Sequence, residues 1–450
     1  MLEKLEKILA PLSEKLSNNR VLTAIRDGFL VTTPLLIVAS VFLVITNFPI
    51  PGYSEFIGQF LGTGWEDFLN PVINSTFSMI ALISVMGIGY AYGKQLEVDP
   101  IASAAVSLVA FLILTPQSHS DFVNADGAAF NGLALSNLGS AGLFLAMITA
   151  LLAVQIFAYV KKKGWVIKLP DGVPPAVTNS FAALIPSALV MLVFLIINII
   201  FTFTPYQYAH NFIYKILQAP LMGFGQSFIF EPLYQFLSTL LWFFGINGPA
   251  VTNTVFSPIH LALTTENLEA FKAGQALPNI YTQPFGDFFA NFGGGGSTLA
   301  LVLLMTFMGK SQRMKQLGRL SLVPGIFGIN EMVIFGLPVV LNPIILVPFI
   351  LTPLVNIILA TFATMSGLIP YTTGASLPWT TPAFFSGWLS TGSVIAGLLQ
   401  IVLIVIDCLI YYPFFKVLDH QYMKDENQPL EDELDELDEL SLDDFSMEDL

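Results

Sequence analysis

The chain has 450 residues, of which 54% are hydrophobic and only 11% are charged, with a mean hydropathy of +0.71. Soluble domains carry about 25% charged residues, so this composition excludes an ordinary soluble protein and predicts an all-α protein that crosses a membrane several times. The net charge of −14 gives no support to nucleic-acid binding, because residues 425–450 alone carry thirteen acidic and no basic side chains.

An amphipathic segment opens the chain. In residues 1–26, leucine and isoleucine recur every three or four positions with lysines between them, which is typical of a helix that lies on a membrane surface. Its charges precede the first long apolar run, so we expect no cleavable signal peptide.

Regular apolar segments follow, and residues 27–203 are predicted to form a packed scaffold domain. Most of these segments are close to the roughly 20 residues that a helix needs to cross a bilayer, and the third is shorter. The predicted spans are 27–47, 72–93, 101–116, 139–160 and 177–203.

Basic residues orient these spans. Lysines and arginines precede the first span and recur in the segment Lys161–Lys168, whereas the loops 48–71 and 117–138 contain none. Because cytoplasmic loops are enriched in Lys and Arg, we expect the N-terminus and the basic loop on the cytoplasmic side. The C-terminus is expected on the same side.

The second half of the chain is less regular. Residues 204–225 are predicted to form an amphipathic connector, and residues 226–420 combine apolar runs with repeated Gly and Pro. Non-helical backbone persists at membrane depth only where protein buries it or where it lines a wet cavity. We therefore predict about ten spans in total, with two re-entrant hairpins and the substrate site in residues 226–420. Residues 421–450 are expected to form an acidic, disordered tail.

One carboxylate in this half is unusual. Glu331 follows Asn330 in the segment Gly328–Gly336, amid apolar runs that otherwise carry almost no charge. An ionisable side chain at membrane depth is costly, so its default interpretation is a functional site. Three roles are open: a cap on a half-helix, an acceptor for sugar hydroxyl groups, or a proton site that couples transport to H⁺. We prefer the second, because a carboxylate beside an amide satisfies two neighbouring hydroxyl groups.

Three further segments combine polar side chains with broken backbone. Asn247 lies between glycines after the aromatic cluster of Trp242, where an ordinary helix cap is the alternative. Asn291 opens the glycine run 293–296, which lacks the following lysine of a phosphate loop. Trp379 lies in a segment rich in Ser, Pro and Thr, where an interfacial aromatic anchor is the alternative.

Enzyme chemistry has little support in the sequence. The four histidines are scattered without metal-ligand spacing, and no nucleophile, metalloprotease or kinase signature occurs. We therefore expect no catalytic residue, no metal and no cofactor. The only cysteine, Cys408, lies in an apolar run and is expected to be inert.

Taken together, these segments resemble the membrane (IIC) subunit of the bacterial phosphotransferase system, and within it the lactose, cellobiose and diacetylchitobiose group. The resemblance covers about residues 5–420. Its motifs are specific together and weak singly: Gly328–Glu331 followed by Pro338, Trp242–Ile246, Asn291 with its glycine run, and Pro378–Pro382.

The resemblance implies a homodimer in the bacterial cytoplasmic membrane, with a scaffold in the first half and an elevator-type sugar-binding domain in the second. It implies a separate IIB protein that phosphorylates the sugar at the inner side and is recharged through IIA, HPr and phosphoenolpyruvate. The chain would then be the transport subunit of a sugar phosphotransferase, without a phosphoryl-carrying residue of its own.

The resemblance also implies roles for single residues. Glu331 and Asn330 would bind sugar hydroxyl groups, and Asn247 would face the hydroxyl group that receives the phosphate. Many relatives have His at that position, and Asn can orient a hydroxyl group but cannot accept a proton at neutral pH. Asn291, Trp242 and Trp379 would line the site.

The predicted function is therefore uptake of a disaccharide of the cellobiose, diacetylchitobiose or lactose type. The alternative is an ion-coupled secondary sugar transporter that uses Glu331 as its proton site.

Overall fold

The computed structural model describes residues 19–123, 129–170, 172–337, 339 and 342–427. Six helices among these residues are long and apolar enough to cross a membrane, in agreement with the predicted helical, multi-pass class. Most of the predicted surface helix, Pro338 and the acidic tail from residue 428 lie outside the described residues.

Long helices packed side by side form the first half. A Cβ atom on Gly28 would lie 2.4 Å from the side chain of Ile88, so two helices approach each other more closely than any larger residue allows. The first helix begins at Arg20, which joins residues 20–26 to the first apolar span. The helices are α1 (Arg20–Leu30), α2 (Thr32–Thr46), α3 (Tyr53–Leu61), α4 (Asn70–Thr76), α5 (Ile80–Gln95), α6 (Pro100–Leu114), α7 (Leu135–Leu138), α8 (Leu143–Lys162) and α9 (Pro175–Thr202), with 3₁₀ turns at Trp65–Phe68, Phe77–Met79 and Ser140–Gly142.

One small element departs from the all-α expectation. Ser118–Val123 (β1) and Ala129–Asn131 (β2) form an antiparallel pair in which Ser118 lies opposite Asn131. The pair is confined to the loop between α6 and α7, so the predicted class is correct for the spans and wrong for this loop.

Helices of very different length form the second half, from 5 residues in α10 to 34 residues in α20. They are α10 (Ala209–Ile213), a π-helical turn (Tyr214–Gln218), α11 (Ala219–Gly225), α12 (Phe230–Phe243), α13 (Gly248–Lys272), α14 (Gln283–Ala290), α15 (Leu299–Met308), α16 (Gln312–Ile326), α17 (Glu331–Gly336), α18 (Pro343–Met365), α19 (Phe385–Thr391) and α20 (Val394–Asn427).

The helix α13 is the element that the sequence analysis missed. It has 25 residues, yet it carries Glu266, Glu269 and several Thr and Asn residues, which make it too polar for an apolar span. Fifteen of its residues are buried in the protein. Because neighbouring helices rather than lipid cover α13, its polar side chains form hydrogen bonds within the protein. The helix therefore lacks the apolar sequence pattern by which a lipid-facing helix is recognised.

Candidate substrate-binding site

A glycine-rich turn, residues 291–298, joins α14 to α15 and forms the centre of the candidate site. Gly293, Gly294 and Gly296 have positive φ angles of 75°, 92° and 79°, a region that glycine enters without steric cost. A Cβ atom on Gly296 would lie 2.2 Å from the ring of Phe349 in α18. These glycines are therefore needed both for the path of the backbone and for close packing against the neighbouring helix.

Asn330 is buried against this glycine turn. Its Nδ2 atom donates hydrogen bonds to the carbonyl oxygen of Gly295 at 2.9 Å and to Oγ1 of Thr298 at 3.1 Å. A Cβ atom on Gly294 would lie 2.6 Å from its Cγ atom. The amide nitrogen of Asn330 is thus occupied by the protein.

Glu331, the next residue, is the first residue of α17 and is exposed. It forms no ion pair or hydrogen bond within the part of the chain that the structure describes. The adjacent side chains Ile329 and Met332 are also exposed, at 41% and 48%. Within the described residues, no lysine or arginine pairs with the carboxylate, which leaves it able to accept hydrogen bonds from a ligand.

A tight corner after α12 places Trp242 against the glycine turn. The N–H groups of Gly245 and Ile246 donate to the carbonyl oxygens of Trp242 and Leu241 at 2.9 and 3.0 Å, and Gly245 has φ of 76°, which is the Schellman ending of a helix. The indole of Trp242 would lie 3.3 Å from a Cβ atom on Gly295.

Asn247 begins the next helix directly after this corner. Its Oδ1 atom accepts a hydrogen bond from the backbone N–H of Ala250 at 3.1 Å, so the residue is the N-cap of α13. The structure therefore bears out the helix-cap alternative, and because Asn247 is an exposed residue, its Nδ2 atom is left to meet a ligand. Gly248 follows where a Cβ atom would lie 1.8 Å from the carbonyl oxygen of Ser238, so α12 and α13 touch at the backbone.

Asn291 ends a buried chain of polar side chains that the sequence analysis did not find. Its Nδ2 atom donates to Oε1 of Gln235 at 2.7 Å, and Nε2 of Gln235 donates to Oε1 of Glu231 at 2.8 Å. The other carboxylate oxygen of Glu231 lies 2.7 Å from Nε2 of His260. A signal existed in the sequence, since Glu231, like Glu331, is an isolated carboxylate in an apolar run.

Trp379 packs over the backbone at Gly328, two residues before Asn330. Gly328 has φ of 84°, and a Cβ atom there would lie 3.4 Å from the indole ring. The indole is 60% exposed and borders a narrow cleft beside the glycine turn. The polar side chains that line the cleft are those of Asp287, Asn291, Thr381 and Ser386, and its aromatic side chains are those of Phe288, Phe292 and Trp379.

The structure thus gathers most of the predicted residues around one turn. Asn291 belongs to the turn, Trp242 and Asn330 contact it, and Trp379 packs over Gly328 near it. Asn247 shares the corner of Trp242 but forms no hydrogen bond with the other predicted residues in the described structure. Asp287 is an additional polar residue of the cleft that the sequence analysis did not single out.

The sequence matches a known protein family and several of its members. The model of the family "Phosphotransferase system, EIIC" matches residues 26–353. The cellobiose-specific EIIC component of Geobacillus stearothermophilus is 41% identical over 94% of this chain and 95% of that protein. The lichenan permease IIC component of Bacillus subtilis (strain 168) is 40% identical over 94% of each chain.

A solved structure shares the fold as well. The transporter ChbC, the IIC component from the N,N′-diacetylchitobiose-specific phosphotransferase system, superimposes with a TM-score of 0.91 at 43% identity. The match covers 94% of this chain and 100% of that one. The family model matches residues 26–353, and the relatives and the solved structure match 94% of the chain. These matches confirm the resemblance found in the sequence: this chain belongs to the EIIC family of the phosphotransferase system.

Proposed function

We propose that this EIIC chain carries a β-linked disaccharide of the cellobiose type across the bacterial cytoplasmic membrane, where a separate IIB protein phosphorylates it. The observation that carries the site assignment is the exposed, unpaired carboxylate of Glu331 beside an amide that is fixed on the glycine turn. The names of the similar proteins, which refer to cellobiose, lichenan and diacetylchitobiose, support this class of substrate.

Each predicted residue has a role that its contacts permit. Glu331 accepts hydrogen bonds from sugar hydroxyl groups, and Asn330 offers its Oδ1 atom while Nδ2 holds the glycine turn. Asn247 orients the hydroxyl group that receives the phosphate through its free Nδ2 atom. Trp379 supplies an exposed aromatic face to the apolar side of a sugar ring. Asn291 and Trp242 line the site from the turn and the corner.

The short helices support the proposal of re-entrant hairpins. The helices α14 and α15 have 8 and 10 residues, so each rises about 12–15 Å, roughly half of the hydrocarbon thickness. The pair therefore enters the membrane and turns back at the glycine turn. We propose a second hairpin around α17 and about ten spans in total, with residues 226–420 moving as an elevator-type transport domain.

The exposed apolar surface of the first half supports the proposal of a homodimer. The apolar span Val177–Thr202 is only 17% buried within the single chain. We propose that the scaffold, residues 27–203, pairs with a second copy through such surfaces, and that lipid covers the remainder. Both termini face the cytoplasm, where IIB works and is recharged through IIA and HPr.

Reconstitution tests the function. The protein is placed in lipid vesicles with labelled cellobiose outside and with IIB, IIA, HPr, the enzyme that charges HPr, and phosphoenolpyruvate inside. We expect phosphorylated sugar inside only when phosphoenolpyruvate and IIB are both present. Accumulation of unmodified sugar driven by an ion gradient alone would instead establish the ion-coupled alternative.

A matched pair of variants tests the site. Glu331→Gln removes the anionic acceptor and should abolish measurable cellobiose binding. Glu55→Gln is the control, because Glu55 is also an exposed glutamate in the first turn of a short helix. Equal binding by Glu331→Gln and Glu55→Gln would refute the assignment of Glu331.

A further inference from the structure

A buried carboxyl group of α20 holds the glycine turn. Asp407 is fully buried, and its Oδ2 atom accepts hydrogen bonds from Oγ of Ser297 at 2.5 Å and from Nδ2 of Asn356 at 2.8 Å. Ser297 belongs to the turn and has a positive φ of 52°. Four residues further along α20, Tyr411 donates to the carbonyl oxygen of Gly296 at 2.6 Å. Two side chains on one face of α20, those of Asp407 and Tyr411, therefore form hydrogen bonds with consecutive residues of the turn.

Two oxygen atoms in this cluster have no donor. Oδ1 of Asp407 and Oδ1 of Asn356 are buried and accept no hydrogen bond from any described residue. Reversing the amide of Asn356 does not help, because its Nδ2 atom also donates to the carbonyl oxygen of Ala290 at 3.1 Å, which only accepts. A buried polar atom without a partner costs about 1–3 kcal/mol, and an ionised one costs more.

Among the described residues, no lysine, arginine or histidine forms an ion pair with Asp407. Four helices pack most closely against α20, and three of them, α15, α18 and α19, carry no titratable side chain. The fourth, α16, carries Arg313, Lys315 and Arg319, and Arg313 meets α20 at the ring of Tyr422, 15 residues beyond Asp407 and so roughly 22 Å along the axis. The helix α14, whose Phe288 carbonyl oxygen accepts a hydrogen bond from Gln400 of α20, adds only the acidic Asp287. The titratable neighbours of Asp407 on α20 itself are the half-buried Cys408 and the buried Tyr411.

We propose that Asp407 carries a proton in this conformation and, as a neutral acid, positions the glycine turn for sugar binding. A proton on Oδ1 supplies the donor that a cluster of acceptor oxygens lacks, and it removes an uncompensated buried charge. The neutral acid still accepts from Ser297 and Asn356, so the turn keeps the geometry on which Asn330 rests. Asp407 is thus a positioning residue for the site, and this role rests on the proposed function.

Two substitutions separate a neutral acid from a required charge. Asp407→Asn places an N–H₂ group where the proposed O–H lies and keeps the acceptor oxygen, so we expect cellobiose affinity within about threefold of the wild type. Asp407→Ala removes both, and we expect affinity to fall about tenfold or more. Loss of binding by a folded Asp407→Asn protein would overturn the proposal.

Cellobiose affinity measured over a pH series distinguishes a proton on Asp407 from a purely packing role, because packing alone does not depend on pH. In the wild type, affinity should fall as the pH is raised into the alkaline range, because ionisation leaves a buried, unpaired charge. The Asp407→Asn variant should lack this component, because its amide does not ionise. Identical pH profiles for the two proteins would overturn the assignment of the proton.

Thermal stability, measured without sugar, tests the proton on Asp407 even if cellobiose is not a ligand. The folded state would bind a proton that the unfolded chain releases, so raising the pH should lower the thermal stability of the wild type relative to Asp407→Asn. That result with no cellobiose binding by either protein would refute the proposed substrate but not the proton. An unchanged difference in stability across the pH series would refute the proton whatever the substrate.

Discussion

Gly294 offers a sharp test of the site, because a single methyl group there meets Asn330. The residue has φ of 92°, and the Cβ atom of Gly294→Ala would lie 2.6 Å from Cγ of Asn330 and 2.8 Å from both its terminal atoms. A side chain in left-handed backbone costs about 1–2 kcal/mol, and overpacking costs about 1–3 kcal/mol. We expect a total destabilisation of about 2–5 kcal/mol.

Of these two contributions, only the overpacking against Asn330 is expected to change the affinity for the sugar. If the methyl group displaces Asn330, about 1–3 kcal/mol is lost from sugar binding, which corresponds to roughly 5- to 150-fold weaker affinity. Isothermal titration of the purified protein with cellobiose measures this change, and thermal unfolding measures the stability.

Gly274→Ala is the matched control for the backbone cost. Gly274 has φ of 65°, and no atom lies within 4 Å of its ideal Cβ position. We expect about 1–2 kcal/mol lower stability and unchanged affinity. The reasoning is wrong if folded Gly294→Ala binds cellobiose like the wild type, or if Gly274→Ala weakens binding to the same extent.

Three further predictions concern other parts of the molecule. Trp379→Ala should weaken cellobiose binding about two- to tenfold with little change in melting temperature, whereas Trp165→Ala, at a similarly exposed tryptophan, should leave titration data unchanged. Gly248→Ala should destabilise the protein strongly in thermal unfolding, because its Cβ atom would lie 1.8 Å from the carbonyl oxygen of Ser238, and preserved stability would contradict the packing of α12 on α13. Burial lowers the pKa of His210 to about 4 from about 6.5. The unfolded chain therefore binds a proton that the folded protein excludes, so stability should fall by at most about 3 kcal/mol as the pH drops from about 6.5 to about 4, and His210→Asn should lack that part of the slope in unfolding scans.

Composition and motifs were sufficient to predict the family. Local sequence patterns did not reveal the buried residues that hold the candidate site in place. Asn291 and Gln235 are 56 positions apart, and Ser297 and Asp407 are 110 apart, so no periodicity links them. Hydropathy also fails for α13, because protein rather than lipid surrounds it. Glu331 was predicted as a site residue because it is an isolated charge in an apolar run. Glu231 is also an isolated charge in an apolar run, but its role became clear only from its contact with the buried His260.

The hydrogen bond from the backbone N–H of Ala250 to Oδ1 of Asn247 explains why Asn247 fits the helix-cap alternative. A residue between glycines that opens a helix uses its oxygen for the backbone whether or not its nitrogen meets a ligand. Sequence alone does not separate these roles, because both need the same side chain at the same helix end.

The buried chain from His260 through Glu231 and Gln235 to Asn291 joins α12, α13 and α14 by hydrogen bonds that would be lost if these helices slid past each other. If residues 226–420 move as the proposed transport domain, a sugar site built on this frame would keep its shape during the movement. It would then bind sugar equally well facing outward and facing inward, and would by itself have no preferred direction. Under the proposed function, net uptake would come from transfer of a phosphoryl group, which changes the sugar rather than the site and so makes transport one-way.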